Sequence, residues 1–287
     1  MNILITGSGG FIGKALANSL SKSHEVIGLT SVAGKLNAPI KEFYLDLSNH
    51  NSVAAFIKQL KASKKQPFID LVVHTAGKLA HKDPMENIEV LETNNRITFN
   101  LMEIIKGFNV NTLINLSSMS VYPYEDGTFS ETSLCEPEKN EDFLYGLSKL
   151  NSEKILSAFL KDFNFRFVNL RLAQVYGQDM RQDRIMPVFL QELKENNTIT
   201  VLGMGKRRLN FIHIERLIFI LNFFISSRAS GTFNTGNENL SLLEIAKNLV
   251  NKEGNKASRI IKVPEGRREN FILDTSKLEN LLENEQK

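Results

Sequence analysis

Apolar positions follow two alternating rhythms through the first half of the chain. Ile3-Leu4-Ile5 is a short apolar run that ends in Thr6-Gly7-Ser8-Gly9-Gly10. From Phe11 to Leu20 the period becomes helical, with Ile12, Leu16 and Leu20 on one face. Residues 26–29 then read as a second strand, and Phe43-Tyr44-Leu45 as a short third one ending at Asp46. Residues 53–60 repeat the helical spacing through Val53, Phe56, Ile57 and Leu60. Leu71-Val72-Val73-His74 shows no polar alternation, as expected for a strand covered on both faces. Residues 88–105 and 143–159 read as long helices, and 112–116 and 165–172 as strands between and after them. This β–α alternation predicts an α/β fold, a doubly wound parallel sheet with right-handed crossovers.

After Gly177 the rhythm changes. Residues 185–193 predict a helix, and 199–202 and 210–212 predict short strands around Gly203-Met204-Gly205. Residues 217–224 predict a largely buried helix and 232–235 a short strand. Ser241-Leu242-Leu243-Glu244 is a capping box that opens a helix running to about residue 250. Asp274 is placed to cap a last helix over 276–282, and the polar tail 283–287 is expected to fray. The division expected is residues 1–177 as a dinucleotide-binding domain and 178–287 as a smaller α/β substrate lobe, with some chain returning to the first sheet.

Composition narrows the function classes. The 287 residues are 42% hydrophobic and 23% charged, ordinary values for a globular protein with a real core. With 35 basic against 32 acidic residues, the net charge of +3 gives no reason to expect nucleic acid or a membrane as partner. The single cysteine, Cys135, can form no internal disulfide, which fits a reducing compartment. Met1 leads almost at once into the first strand, leaving no room for a signal peptide. The longest apolar run, 217–225, is interrupted by Asn222 and is too short to span a bilayer. A cytoplasmic location is expected. The histidines and the cysteine show no metal-ligand spacing, so no metal is expected.

The candidate chemistry begins at the glycines. A strand running into Gly7-Ser8-Gly9-Gly10 and straight into a helix aims backbone N–H groups and the positive end of the helix dipole at the mouth of the turn, where a pyrophosphate fits. Gly7 permits the tight turn, Gly10 lets phosphate approach, and Gly13 lets helix pack on strand. Tyr145 and Lys149 are four residues apart and share a helical face. An ammonium favours the phenolate, so Lys149 is expected to lower the Tyr145 pKa and fit it for proton exchange. Ser118 lies at the C-terminal end of a predicted strand, where ligands bind in such sheets, and could hydrogen-bond the same substrate oxygen. Ser117 and Ser120 are read as ordinary strand-end residues, and His74 and His213 as structural ones.

Taken in order, these pieces resemble the extended short-chain dehydrogenase/reductases, the NAD(P)-dependent epimerase/dehydratase group acting on nucleotide sugars. The resemblance runs from Asn2 to about Leu282 and implies a Rossmann-type fold. It implies dinucleotide contacts at Gly7, Gly9, Gly10, Phe11, Ile12 and Gly13, at Asp46 and Leu47 near adenine, and at Ala76 and Gly77 of Val73-His74-Thr75-Ala76-Gly77 beside the ribose. Asn94, with Thr98 and Asn100, resembles the helix that supports the active site. Ser118 falls on the catalytic hydroxyl, Tyr145 on the acid/base, and Lys149 on the residue that holds the nicotinamide ribose. Arg171 with Val175-Tyr176-Gly177 leads into the substrate lobe, and residues 203–214 resemble the stretch near the sugar diphosphate. The two long helices resemble those that pair in a homodimer.

The departures from that pattern carry information. NAD-using relatives end strand two in an acid that holds the ribose 2′-hydroxyl. Here the strand ends Leu29-Thr30-Ser31 with Lys35 nearby, which favours NADP(H) over NAD(H), with Ser31 and Lys35 as candidate contacts. The acidic pair that follows the catalytic hydroxyl in sugar dehydratases is replaced by Met119-Ser120, so dehydration is not expected. Gln174 stands where many epimerases have Asn near the substrate phosphate. Arg207 and Arg208 are one residue out of register, so either could grip the diphosphate, and the run Lys206-Arg207-Arg208 is read this way rather than as a nucleic-acid contact. Arg267 and Arg268 fit the later Arg of the pattern poorly, and the chain lacks the closing segment of many relatives. The expected activity is hydride transfer at C4 of a nucleotide-diphosphate hexose. The missing acid favours a 4-ketoreductase. An NAD-dependent 4-epimerase is the alternative, and a non-catalytic dinucleotide-binding protein a more distant one.

Overall fold

The structure, a computed structural model, describes residues 1–32, 36, 40–62, 68–80, 84–161 and 165–284. Strand β1 (Asn2–Thr6) enters the glycine turn and α1 (Phe11–Leu20) leaves it. Then come β2 (Glu25–Thr30), β3 (Lys41–Tyr44), α2 (His50–Ala62), β4 (Leu71–His74), α3 (Pro84–Phe108) and β5 (Thr112–Ser118). A short β6 (Gly127–Phe129) precedes α4 (Phe143–Leu160) and β7 (Arg166–Leu172).

These strands build one parallel seven-stranded sheet, in the order β3-β2-β1-β4-β5-β7 with an eleventh strand, β11 (Gly231–Thr235), outside β7. The order reverses between β1 and β4, which opens a crevice at their carboxyl ends. The unbroken apolar run of β1 is explained by its two buried faces. Ile3 and Ile5 pack with Leu16 and Leu20 of α1, while Leu4 packs into a second core with Phe56 of α2 and Leu101 of α3.

The remaining elements are β8 (Gln174–Tyr176), α5 (Ile185–Asn196), β9 (Thr198–Val201), β10 (Arg208–His213), α6 (Ile214–Ser226), β12 (Glu238–Ser241), α7 (Leu242–Glu253), β13 (Arg259–Lys262), β14 (Phe271–Leu273) and α8 (Ser276–Asn284). They add small sheets, β12-β10-β8, β13-β9 and β14-β6, over the mouth of the large one. A third core, with Phe189, Leu193, Val201, Phe211 and Ile245, sits among them. Helix α6 returns to the large sheet, packing Leu217 and Phe224 into the same core as α1.

The capping box is present in full at α7. The Ser241 hydroxyl accepts from the Glu244 N–H at 3.1 Å, and the Glu244 carboxylate accepts from the Ser241 N–H at 2.7 Å. Ser241→Ala is therefore expected to cost about 1 kcal/mol, read as a lower denaturant midpoint at unchanged slope. No helix among the described residues is long and apolar enough to cross a membrane.

Candidate active site

The glycine turn has the geometry its sequence requires. Gly7 has φ +69, and a Cβ there would stand 2.7 Å from the Ala76 Cα. A Cβ on Gly13 would run into the Gly7 carbonyl, so only a bare backbone lets α1 sit against β1. Gly10 is the N-cap of α1, with no side-chain cap and no acidic residue in the first turn. The first free N–H groups of the helix are left for a ligand.

Two cavities meet at this turn. One, of about 370 Å³, is lined by Gly7, Gly9, Gly10, Ser31, Leu47, Ala76, Gly77 and Lys78, among others. The bare turn, the uncapped helix and the apolar walls at Leu29, Val32, Leu45 and Ile97 fit a dinucleotide: N–H groups for its phosphates and a dry slot for its adenine. No Asp or Glu lines this cavity among the described residues. Ser31 is in its wall, while Lys35 lies outside the described residues. Leu47 is in the wall too, but Asp46 is not. Its carboxylate is exposed and accepts from the Ser48 N–H and hydroxyl, each at 2.8 Å.

The second cavity, of about 210 Å³, starts at Phe11 and Ile12 and contains Ser118, Met119, Ser120, Asp142, Tyr145, Gln174, Arg181 and Arg184 in its lining. Ser118 ends β5 and Tyr145 lies in the first turn of α4. Both side chains face this cavity, with Ser118 near enough to favour the Tyr145 phenolate, and the Ser118 hydroxyl donates to Ser120 Oγ at 3.1 Å. A Cβ on Gly146 would strike the Ser120 carbonyl, so α4 approaches this strand end closely. Lys149 lies one turn on from Tyr145, its Nζ 5.8 Å from the phenol ring centre and donating to the Leu116 carbonyl at 3.0 Å. A Cβ built on Gly77 would stand 3.4 Å from that Nζ, so the ammonium lies against Gly77 in the first cavity's wall. Asn94 of α3 ties these parts together. It donates to Ser148 Oγ at 2.9 Å and to the Lys78 carbonyl at 3.0 Å, and accepts from the Lys78 N–H at 2.7 Å.

The electrostatics differ from expectation at the phenol. Burial pushes Tyr145 up to about 12, with the Asp142 carboxylate adding to the rise, while Ser118 and Arg184 pull it back. Burial brings Lys149 down to about 8, against the Glu153 carboxylate, which raises it. The expected lowering by Lys149 is absent: its ammonium is turned to the Leu116 carbonyl, 5.8 Å from the ring centre, and loss of hydration dominates at the phenol. His74 is buried, bonded to Thr6 Oγ1 at 2.7 Å and held down to about 3 by burial and Lys149, which is a structural role. His213 ends β10 and caps α6.

Gln174 lines the second cavity, but Arg207 and Arg208 do not. Arg208 is held by Asn239 and by Glu244 at 3.1 Å. Arg207 stacks 4.7 Å from the Tyr124 ring centre and pairs with Glu141 at 3.0 Å. Arg267 joins it there, 5.6 Å from the same ring and 2.8 Å from Glu141. Of these residues only Arg207 was singled out from the sequence as site-forming; Tyr124, Glu141, Asp142, Arg181 and Arg184 were not. Nothing in the local sequence around residues 142 and 181–184 signals that α4 and the loop before α5 converge. Asp142 is the N-cap of α4 yet makes no cap hydrogen bond, and burial raises its pKa. Among the described residues no cluster of His, Cys, Asp or Glu could hold a metal.

Fold and site together are those of an extended short-chain dehydrogenase/reductase. The pattern of the NAD dependent epimerase/dehydratase family matches residues 3–236, and the chain belongs to that family. The dTDP-D-glucose 4,6-dehydratase of Dictyostelium discoideum is 26% identical over 269 residues, covering 87% of this chain and 61% of that protein, so the chain spans about three fifths of that relative's length. The dTDP-4-dehydro-6-deoxyglucose reductase of Escherichia coli is 26% identical over 273 residues, 89% of this chain and 83% of that one. The crystal structure of UDP-glucuronic acid 4-epimerase from Bacillus cereus, in complex with UDP-glucuronic acid and NAD, is 25% identical, covers 99% of this chain and 93% of its own, and superposes with a TM-score of 0.81.

Proposed function

We propose that the protein is a nucleotide-sugar 4-ketoreductase: it moves a hydride from NADPH to C4 of a nucleotide-diphosphate 4-keto hexose. The observation that carries this reading is that Ser118 and Tyr145 line one cavity with Phe11 and Ile12, the first residues after the glycine turn. In this reading Ser118 and Tyr145 both donate to the substrate's C4 oxygen, and Lys149 holds the nicotinamide ribose from beside Gly77. When bound, the nicotinamide supplies the hydride. Tyr145 gives its proton to the oxygen as the hydride reaches carbon, so a phenol that keeps its proton to about 12 is in the form a reduction needs. Met119 and Ser120 follow Ser118 without a carboxylate, which supports a reaction without loss of water. Gln174 and Arg184 are the proposed polar contacts to the sugar and its diphosphate. The Arg207–Arg267 cluster is proposed as a further diphosphate contact at the rim.

NADP(H) is proposed over NAD(H) because no carboxylate among the described residues of the dinucleotide cavity would repel a 2′-phosphate, and Ser31 and Lys78 line it. The family's NAD use and the B. cereus 4-epimerase support a second reading, an NAD-dependent 4-epimerase that holds its cofactor through the cycle. The freshly purified protein decides between them. The expected result is stoichiometric consumption of NADPH with dTDP-4-dehydro-6-deoxyglucose, and little activity with NADH. A tightly held, non-exchanging NAD, together with interconversion of UDP-glucose or UDP-glucuronic acid and its C4 epimer, would overturn the reductase reading. We also propose a homodimer through α3 and α4, where Phe99 is 51% exposed, and light scattering is expected to give twice the chain mass.

A further inference from the structure

Behind the reacting groups lies a buried network that the chemistry above does not use. Glu153 is on α4 one turn beyond Lys149, and its side chain is 6% exposed. Its carboxylate accepts from Ser117 Oγ at 2.5 Å, from Arg171 Nε at 3.0 Å and from Arg171 Nη2 at 2.7 Å. Arg171, on β7, is itself 6% exposed and passes a further bond to the Tyr122 hydroxyl at 2.8 Å. Ser117 sits between Leu116, whose carbonyl accepts from Lys149, and Ser118, which lines one cavity with Tyr145. One carboxylate therefore holds the strand that carries half of the site against the helix that carries the other half.

We propose that Glu153 is a positioning residue for the acid–base pair: through Ser117 and Arg171 it fixes the end of β5, whose Leu116 carbonyl holds Lys149, against α4, and it sets a buried carboxylate one helical turn from the ammonium. The inference rests on the role given to Lys149 above. The groups that face Lys149 are Tyr145 and Glu153 from α4, His74 from β4, and the neutral Asn94 of α3 and Leu116 carbonyl of β5. Of these, Glu153 is the one that acts to raise the ammonium's pKa, opposing the burial that brings it to about 8. A neutral amine at 149 would still accept or donate one hydrogen bond, but it would lose its pull on a developing phenolate. The lysine's charge is lost as pH rises through its pKa, so removing Glu153 moves that loss to lower pH.

The test needs no substrate. The free protein is labelled with ¹³C at the lysine Cε, the Lys149 signal is assigned by its absence in Lys149→Arg, and its titration is followed in wild type, Glu153→Gln and Glu153→Asp. A wild-type midpoint near 8 is expected. Glu153→Gln is expected to lower it by about one pH unit, a tenfold loss of proton affinity, while Glu153→Asp, which keeps the charge, stays within about half a unit of wild type. A folded Glu153→Gln protein with an unmoved midpoint overturns the proposal. Where Glu153→Gln does not fold, the wild-type and Glu153→Asp titrations decide, and a midpoint below neutrality in either overturns it. Failure of the catalytic reading is seen separately, as turnover that survives loss of the Tyr145 hydroxyl.

Discussion

Tyr145→Phe is expected to reduce turnover of the protein's nucleotide sugar by about 10²–10⁴-fold, the usual share of a general acid–base group. The fold should tolerate the change. The phenol lines a cavity, and Ser118 keeps its bond to Ser120 when the phenol is gone. Dinucleotide affinity should hold, because the glycine turn and Lys149 are untouched. The measurement is steady-state turnover with UDP-glucose, UDP-glucuronic acid and dTDP-4-dehydro-6-deoxyglucose, beside a direct titration of cofactor. Ser118→Ala should act in the same direction with a smaller effect, since it removes one of two donors to the oxygen. A Phe variant that matches wild type on whichever of these sugars is turned over would remove Tyr145 from the chemistry and leave the site a binding pocket.

The largest effect on stability is expected at Arg171. Its guanidinium is the buried partner of Glu153, and both side chains are 6% exposed. Such a pair contributes little net stability when intact, but removing one member strands the other in a place water does not reach. Arg171→Leu is expected to cost about 3–5 kcal/mol. For a chain of this length that is a fall in Tm of about 10 °C. Thermal and denaturant melts of wild type and variant at neutral pH measure both numbers. A variant within about 1 kcal/mol of wild type at neutral pH would show that water or another donor reaches Glu153.

Much of the large sheet could be read from the chain because its signals are local. The run Ile3-Leu4-Ile5 into Gly7 and Gly13, the helical spacing of 11–20, and the solid apolar run 71–74 each identify an element without help from elsewhere. Helix α1 lies at Phe11–Leu20 and β4 at Leu71–His74, as their patterns predict. The small sheets were less legible. Strands β6, β8, β12, β13 and β14 went unforeseen. The residues Gly127–Phe129 and Phe271–Leu273 are too short to show a period, and become a sheet only by pairing with each other across the chain. Ser118, Tyr145 and Lys149 could be picked out because two of them share a helix and the third ends a strand. Asp142, Arg184 and Arg267 carry no such spacing. Their place depends on how α4, the loop before α5 and the segment before β14 pack, which is a property of tertiary contacts.

The pairing of β11 with β7 ties the two regions into one object. The segment Gly231–Thr235 leaves the upper layers and completes the lower sheet, in register from Gly231 opposite Val168 to Thr235 opposite Leu172. A fragment ending at Gly177 would carry every strand of the cofactor half except this one, and would present β7 as a raw edge. The complementary fragment would carry β11 and β14 without the strands they lie against. Expressed apart, the two pieces should seek sheet partners wherever they find them. Expressed together, they share three strand seams along which to reassemble: β7 with β11, β8 with β10, and β6 with β14.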